Sequence, residues 1–234
     1  MEPKYKRILL KISGESLAGD KRHGFSSSAL AATAKQIATL NKAGVEIGVV
    51  VGGGNFWRGR EGDEMDRTSA DYMGMLATVI NALALSDALD RQGVDNRVMT
   101  ALAIDKIGEP YNVKTAKRYL SDGKVVVFGG GTGSPFFTTD TGASLKACEI
   151  QAEVLLLAKN IDGIYDSDPK INPNAKKFDT LTYDEYVEKG LRALDTSAVV
   201  MCKENGLKIH VFGNLDENSI VNAVFADSDG TVVY

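Results

Sequence analysis

Apolar and polar residues occur in blocks along the chain, and the blocks have the lengths of strands and helices. Short apolar runs rich in valine, isoleucine and leucine predict buried strands. Longer stretches with apolar residues three and four positions apart predict helices. Strands are predicted at Arg7–Ile12, Val45–Val51, Arg97–Leu102, from Val125, and at Glu153–Ala158, Lys208–Phe212 and Thr231–Tyr234. Helices are predicted from about Ser26 to Leu40 and at Arg67–Arg91, Asn112–Leu120, Ala143–Gln151, Tyr183–Lys189, Ser197–Asn205 and Glu217–Ala226.

The order of these elements indicates the fold class. Strands and helices alternate along most of the chain, which is typical of an α/β protein with helices on both faces of a parallel sheet. We therefore expect a three-layer α-β-α sandwich with a central, mainly parallel sheet. No linker or repeat divides the sequence, so residues 1–234 are interpreted as a single domain. The polar stretch Lys170–Thr180 is predicted to be a long excursion over the surface.

The helix predicted at Arg67–Arg91 has an unusually wide apolar face. One stripe contains Tyr72, Met75, Leu76, Val79, Ile80 and Leu83, and Met73, Ala77, Ala84 and Leu85 widen it. A face of this width is typical of a helix that packs on two sides. We therefore expect a subunit contact as well as a contact with the core.

The composition narrows the classes of function. Hydrophobic residues make up 44% and charged residues 25% of the chain, as in an ordinary globular protein. The net charge of −4 argues against a protein that binds nucleic acid or a membrane surface, and no apolar run approaches the ~18 residues of a membrane span. Cys148 and Cys202 are expected to be reduced thiols of a cytoplasmic protein. Two histidines are too few for a zinc cluster.

Glycine-rich turns follow three of the predicted strands. They contain Gly14, Gly52–Gly54 and Gly129–Gly133. Because the carboxyl ends of parallel strands share one edge of a sheet, we expect the three turns to converge on a phosphate site. No segment matches the P-loop pattern, and the third turn lacks the last glycine of the dinucleotide fingerprint. Asp140, after the third turn, is predicted to be the N-cap of the next helix.

Two cationic residues lie next to these turns in the sequence. Lys11 ends the first strand, and Arg58 follows the second glycine turn. A strand lysine usually faces solvent, but Lys11 lies between Leu10 and Ile12 and directly before a glycine turn. Lysine, arginine, backbone N–H groups and Mg²⁺ together offset the repulsion between two phosphorylated ligands, so the pattern indicates phosphoryl transfer. A phosphate acceptor is already an anionic nucleophile and needs no general base.

Five segments in this order resemble the amino-acid-kinase family and, within it, the UMP kinases of bacteria. They are K-I-S-G-E at Lys11–Glu15, G-G-G-N at Gly52–Asn55 followed by Arg58-Gly59, A-D-Y-M-G-M-L at Ala70–Leu76, G-T-G-S-P-F-F-T-T-D at Gly131–Asp140, and D-G-I-Y with D-P at Asp162–Pro169. The match runs nearly from end to end. It implies transfer of the γ-phosphoryl group of ATP to UMP, giving ADP and UDP. It also implies Mg²⁺ carried mainly by the ATP phosphates, with no dedicated protein cage.

The resemblance also implies roles for individual residues. The catalytic residues would be Lys11, Arg58, Asp140 and Asp195. ATP would contact Lys11, Ile12, Ser13, Gly14, Gly54, Arg58, Lys159, Tyr165 and Asp168. The last three of these would frame its adenosine. UMP would contact Gly53, Asp71, Thr132, Gly133, Ser134, Pro135, Phe136, Phe137, Thr138 and Thr139. The N-terminal part would thus bind mainly UMP and the C-terminal part mainly ATP.

Several of these roles have plainer alternatives. Asp71 would also complement a helix dipole, and capping alone would explain Asp140 and Asp195, the second of which is expected to orient Lys11. The family commonly has a threonine or another small residue near the position of Lys159.

Regulation and assembly are implied by the same resemblance. GTP would activate and UTP would inhibit the enzyme, which would be a homo-hexamer. The segment Gly19, Asp20, Lys21, Arg22, His23 and Gly24, together with Arg97, is the candidate GTP site. Two rival functions share the glycine turns. One is a related kinase that acts on a carboxylate or carbamate, and the other is a regulatory protein that senses pyrimidine nucleotides without turnover.

Overall fold

The computed structural model describes residues 2–21, 23–57, 65–214, 216–226 and 230–234. Eleven strands are described: β1 Arg7–Ile12, β2 Glu46–Val51, β3 Asn96–Thr100, β4 Glu109–Pro110, β5 Val125–Gly129, β6 Val154–Lys159, β7 Ile164–Tyr165, β8 Lys177–Phe178, β9 Thr180–Leu181, β10 Lys208–Gly213 and β11 Thr231–Val233. Eight α-helices are described: α1 Gly14–Ala18, α2 Ser27–Lys42, α3 Arg67–Arg91, α4 Val113–Ser121, α5 Thr139–Glu149, α6 Tyr183–Glu188, α7 Thr196–Glu204 and α8 Ser219–Phe225.

Nine strands form one sheet in the order β4-β3-β5-β2-β1-β6-β10-β11-β9. Every neighbouring pair is parallel except β10 with β11. The inner strands are almost continuously buried, as expected when both faces of a parallel sheet are covered. The prediction of an α/β fold with a central, mainly parallel sheet is confirmed.

Helices cover the two faces of this sheet and enclose two apolar clusters. On one face, residues of α2, α3 and α8 pack on the sheet through Ile37, Leu85 and Ile220. On the other face, residues of α4, α5, α6 and α7 pack through Leu120, Ala147, Tyr186 and Val199. The three layers therefore follow from helices that each bury one apolar stripe.

The structure departs from the predicted elements in a few places. The strand predicted at Arg97–Leu102 ends at Thr100. The segment Lys170–Thr180 is not entirely a surface excursion. It contributes β8, which pairs antiparallel with β7, and it begins the edge strand β9. Two-residue strands carry too little periodicity to be recognised in a sequence.

The long helix α3 has the predicted bounds and places apolar residues on two faces. Met75, Val79 and Leu85 are buried, whereas Tyr72, Met73, Leu76, Ile80 and Leu83 are exposed in the single chain. By length and composition α3 would be able to cross a membrane, with a mean hydropathy of 1.4 over 18 residues, contrary to the expectation from the apolar runs. Half of that window is buried inside the protein, as in a core helix.

Candidate active site

The glycine turns after β1 and β2 meet at the carboxyl edge of the sheet. A Cβ atom on Gly14 would lie 2.4 Å from Oδ1 of Asn55 and 2.5 Å from the carbonyl oxygen of Gly52. Only glycine allows the two backbones to approach this closely. Ser13 caps α1 by accepting a hydrogen bond from the N–H of Ser16, so the chain enters a short helix directly after Lys11 and Ile12.

A pair of buried asparagines holds these turns against α3. The side chains of Asn55 and Asn81 donate to each other at 3.0 and 2.7 Å, Asn81 also donates to the carbonyl of Gly52 at 2.6 Å, and Asn55 donates to the carbonyl of Gly24 at 2.8 Å. Sequence reasoning missed Asn81. The sequence did contain a signal for it, because an asparagine in the apolar stretch of a predicted core helix is expected to be buried and hydrogen-bonded.

A cavity of about 220 Å³ lies between the second glycine turn, α3 and the turn after β5. Seven of the predicted UMP residues line it: Gly53, Asp71, Thr132, Ser134, Phe137, Thr138 and Thr139. Gly54, predicted to contact ATP, lines the same cavity. Of the UMP residues that the structure describes, Gly133, Pro135 and Phe136 lie outside this lining.

Asp71 organises the mouth of this first cavity. Its Oδ2 accepts hydrogen bonds from Nε of Arg67 at 2.8 Å and from the backbone N–H of Phe136 at 2.7 Å. Phe136 has a φ of +72°, which is rare for a non-glycine residue. The guanidinium of Arg67 lies 5.5 Å from the centroid of the Phe136 ring. The carboxylate therefore does more than complement the helix dipole, because it holds the turn that carries Phe136 in place.

Asp140 lies between two lysines at the start of α5. Oδ1 of Asp140 is 2.8 Å from Nζ of Lys11, and Oδ2 accepts a hydrogen bond from Nζ of Lys159 at 3.1 Å. The prediction that Asp140 caps the helix is wrong. The N-cap is Thr138, whose hydroxyl accepts from the N–H groups of Asp140 and Thr141, because α5 begins at Thr139 rather than near Ala143.

The two lysines control the protonation of Asp140. Burial alone would raise the pKa of this carboxyl group, but the positive charges of Lys11 and Lys159 outweigh burial and hold the pKa at about 2. Burial, followed by the charge of Lys11, lowers the pKa of Lys159. Asp140 is therefore ionised at neutral pH, and its carboxylate lies between the side chains of Lys11 and Lys159.

Asp195 reaches the same helix from the other side. It caps α7 by accepting from the N–H of Ala198 at 2.9 Å, and it also accepts from the hydroxyl groups of Thr138 and Thr141. The expectation that Asp195 orients Lys11 is not supported, because the ion pair of Lys11 within the described ranges is with Asp140. Asp195 instead fixes the start of α5, which carries Asp140.

A second, larger cavity of about 640 Å³ opens beyond Lys159. It is lined by residues after β6, by the segment around β7 and by the chain between α6 and α7, including Lys159, Tyr165, Asp168, Leu191 and Ala193. The three residues predicted to contact the adenosine of ATP thus lie in one cavity. The triad of Lys11, Asp140 and Lys159 links this cavity to the first one through Thr139.

The donor set of the site is compatible with Mg²⁺ bound through phosphates. Oδ1 of Asp140 is buried and has no hydrogen bond in the described structure, although it lies within ion-pair distance of Lys11. One carboxylate oxygen suits Mg²⁺, which keeps several waters and is usually held by one or two carboxylates and phosphates. The described ranges contain no group of three or more His, Cys, Asp or Glu side chains that would form a protein cage.

Some predicted site residues lie outside the described residues or apart from one another. Arg58 and Arg22 are not among the described residues. The turn at Gly24 hydrogen-bonds to Asn55, and the ring of His23 packs edge-on against Phe56. Arg97, the other residue of the predicted GTP site, lies on β3. It pairs with Asp95 and lines a hollow to which no described residue of 19–24 contributes.

Comparison with known proteins agrees with this architecture. Residues 6–213 match the model of the amino acid kinase family. The UMP kinase of Bacillus anthracis is 34% identical, with a TM-score of 0.91 over 98% of this chain and 96% of that chain. The UMP kinase of Ureaplasma parvum is 36% identical, with a TM-score of 0.90 over 98% and 99%. The uridylate kinase of Archaeoglobus fulgidus is 29% identical, with a TM-score of 0.74 over 97% and 99%. The chain therefore belongs to the amino acid kinase family.

Proposed function

We propose that the protein is a UMP kinase that transfers the γ-phosphoryl group of ATP to UMP and releases ADP and UDP. One observation carries the proposal: a cluster of two lysines and one aspartate lies between two cavities lined by the residues expected to bind the two nucleotides. UMP is placed in the first cavity and ATP in the second. Two UMP kinases with this fold at 34 and 36% identity support the choice of acceptor.

The reaction needs positioning and charge rather than proton abstraction. A phosphate oxygen of UMP forms a bond to the γ-phosphorus while the bond from that phosphorus to the β,γ-bridging oxygen breaks. The electron pair of the broken bond stays on ADP. Negative charge accumulates on the transferred group and the leaving oxygen, where a fixed ammonium such as that of Lys11 stabilises it most.

The chain's own residues hold this geometry. Asp140 keeps the Lys11 ammonium in place, and Asp195 fixes the helix start that carries Asp140 through Thr138 and Thr141. Gly53 and Gly54 line the first cavity, and their N–H groups are proposed to donate hydrogen bonds to phosphate oxygens there. Mg²⁺, bound mainly by ATP phosphates with Asp140 as its candidate protein ligand, would neutralise phosphate charge when present.

The finer properties of the enzyme are part of the same proposal. We place it in the cytoplasm as a homo-oligomer, with a hexamer as the expected assembly. GTP is proposed to activate it through the 19–24 segment or Arg97, which would have to combine across subunits. UTP is proposed to inhibit it from the UMP cavity, since it carries the same uridine.

The test is a substrate panel. The protein is mixed with ATP, Mg²⁺ and, separately, UMP, CMP, AMP, GMP, acetylglutamate, aspartate or carbamate, and ADP formation is followed. Turnover with UMP at least tenfold above every other acceptor is expected. A preference for a carboxylate or carbamate would instead assign the chain to a different kinase of the family. Tight nucleotide binding without turnover on any acceptor would indicate a regulatory protein.

A further inference from the structure

Lys159 is the last residue of β6, and the sheet register places it near Lys11. In the parallel pair of β1 with β6, Lys11 lies opposite Leu157. Successive side chains of a strand point to opposite faces, so Lys159, two residues after Leu157, lies on the same face as Lys11. On this face of the sheet, β1 presents the buried Leu9 and then Lys11, and β6 presents the buried Leu155 and Leu157 and then Lys159. Each of the two strands therefore has a lysine at the carboxyl edge of the sheet.

The contacts of Lys159 leave part of its ammonium available. It donates to Oδ2 of Asp140 at 3.1 Å and to the carbonyl oxygen of Ala193 at 3.0 Å. A lysine ammonium has three N–H groups, so one remains without a partner among the described residues. Lys159 also lines the larger cavity, and its side chain is 20% exposed. The remaining donor therefore has access to a ligand in that cavity.

The charges of the cluster also favour an anion. Asp140 is the only carboxylate within ion-pair distance of either lysine in the described part of the chain, although the charge of Asp195 also acts on Lys159. Two ammonium groups beside one paired carboxylate attract a further anion more strongly than a single lysine does. A phosphoryl group that enters between the cavities would supply that anion.

We propose that Lys159 is a second phosphate-binding cation, which contacts the γ-phosphoryl group of ATP while Lys11 contacts it from the other side of Asp140. The inference deepens the proposed kinase function, because it assigns to this side chain a role at the transferred group rather than at the adenosine. A structural alternative is that Lys159 only neutralises Asp140 and ties α5 to the Ala193 carbonyl.

Nucleotide binding without an acceptor separates these roles. Affinities for Mg²⁺-ADP and for the Mg²⁺ complex of the non-hydrolysable β,γ-imido analogue of ATP are measured by calorimetry for the unaltered protein and for Lys159→Met. Loss of a charged hydrogen bond to the γ-phosphoryl group should weaken binding of the analogue about 10- to 100-fold. Binding of ADP should change less than about threefold. Lys159→Arg should recover much of the lost affinity.

The control is Lys203→Met on α7, which removes a lysine ion-paired with Asp184 on the surface. It should bind both nucleotides as the unaltered protein does. Equal weakening of ADP and analogue by Lys159→Met, or no weakening of either, would overturn the inference. Neither readout requires UMP, so a failure of UMP to accept phosphate would refute the proposed acceptor and still leave the role of Lys159 decided.

Discussion

At the scale of single residues, the proposed active site depends on one largely buried carboxylate, with ammonium groups 2.8 and 3.1 Å away, and on a glycine that leaves no room for a Cβ atom. Asp140 stays ionised because Lys11 and Lys159 outweigh its burial. Gly14 has no room for a side chain because Asn55 and Gly52 lie against it. Asp140 and Gly14 are constrained for different physical reasons. The first concerns charge in the transition state, and the second concerns the space between two backbones.

Lys11→Ala should leave the fold intact and lower kcat about 10²- to 10³-fold, because one preorganised charge donor to the transferred group is lost. Asp140 keeps its ion pair with Lys159, so the carboxylate is not left without a counter-ion. Steady-state kinetics with UMP and ATP, together with a thermal melt, measure both effects. A folded variant with near-normal kcat would show that Lys11 is not at the reacting phosphate.

Gly14→Ala should lower the free energy of unfolding by about 2 kcal/mol or more, because the new Cβ overlaps Oδ1 of Asn55 and the carbonyl of Gly52. Gly74→Ala is the matched control. Its nearest atom is Cδ1 of Trp57 at 3.9 Å, and alanine favours a helix, so this variant should be neutral or more stable. Urea unfolding of the three proteins gives the comparison. Similar stability of Gly14→Ala and the unaltered protein would contradict the close approach.

At the scale of elements, the site is assembled where strand ends and helix starts are tied together by polar side chains. Thr78 of α3 accepts from the N–H of Gly130, Asn81 of α3 bonds to Gly52 and Asn55, and Asp195 of α7 bonds to α5. These bonds connect helices on both faces of the sheet to its carboxyl edge.

Asn81→Ala should destabilise the protein by about 1–3 kcal/mol, because Asn55 and the carbonyl of Gly52 lose partners in a buried site. Asn55→Ala should cost a similar amount, and the double variant should cost clearly less than the sum, since each deletion removes the same amide pair. Asn41→Ala, which removes one solvent-exposed hydrogen bond from a partly buried asparagine to the carbonyl of Gly123, is the control and should change stability by less than 1 kcal/mol. Strictly additive costs for Asn55 and Asn81 would show that the pair is not coupled.

Long elements and glycine turns were predictable from the sequence because their signals are local. The bounds of β1 and α3 were predicted without error, and the convergence of the turns at Gly14 and Gly52 followed from parallel pairing alone. The pairing of β7 with β8, the contact of Lys159 with Asp140 and the amide pair at Asn81 join residues that are distant in the sequence or belong to very short strands. Such contacts depend on tertiary packing, which hydrophobic periodicity does not encode.

At the scale of the whole molecule, acid stability should depend on His210. Burial, with a smaller effect of the Lys4 charge, lowers the pKa of this histidine to about 4, against an ordinary value of 6.5. The unfolded chain therefore binds a proton between these pH values that the folded protein does not. Stability is complete above pH 6.5 and falls as the pH decreases toward 4, by up to about 3 kcal/mol.

His210→Gln should flatten this part of the stability curve, measured by urea unfolding from pH 7 to pH 4. The exposed His23 is the only other histidine, and His23→Gln should leave the curve unchanged. A pH dependence that is the same in both variants and the unaltered protein would assign the acid sensitivity to carboxyl groups such as Asp140 instead of His210.

The uncovered face of α3 predicts self-association. Tyr72, Met73, Leu76, Ile80 and Leu83 form one stripe along the helix, and Leu76 and Ile80 are 48 and 45% exposed in the single chain. A contiguous apolar stripe of this kind is typical of an interaction surface, and we expect a second copy of the chain to cover it. Sedimentation of the unaltered protein at micromolar concentration should therefore give a mass well above that of the 25.1 kDa monomer.

Ile80→Glu would bury a carboxylate in the contact and should shift the protein toward the monomer. Val200→Glu alters a residue of similar exposure, 42%, on α7 and should leave the assembly unchanged. If the unaltered protein sediments as a stable monomer, the stripe is not a subunit contact, and if both variants dissociate equally, the contact is not made by α3.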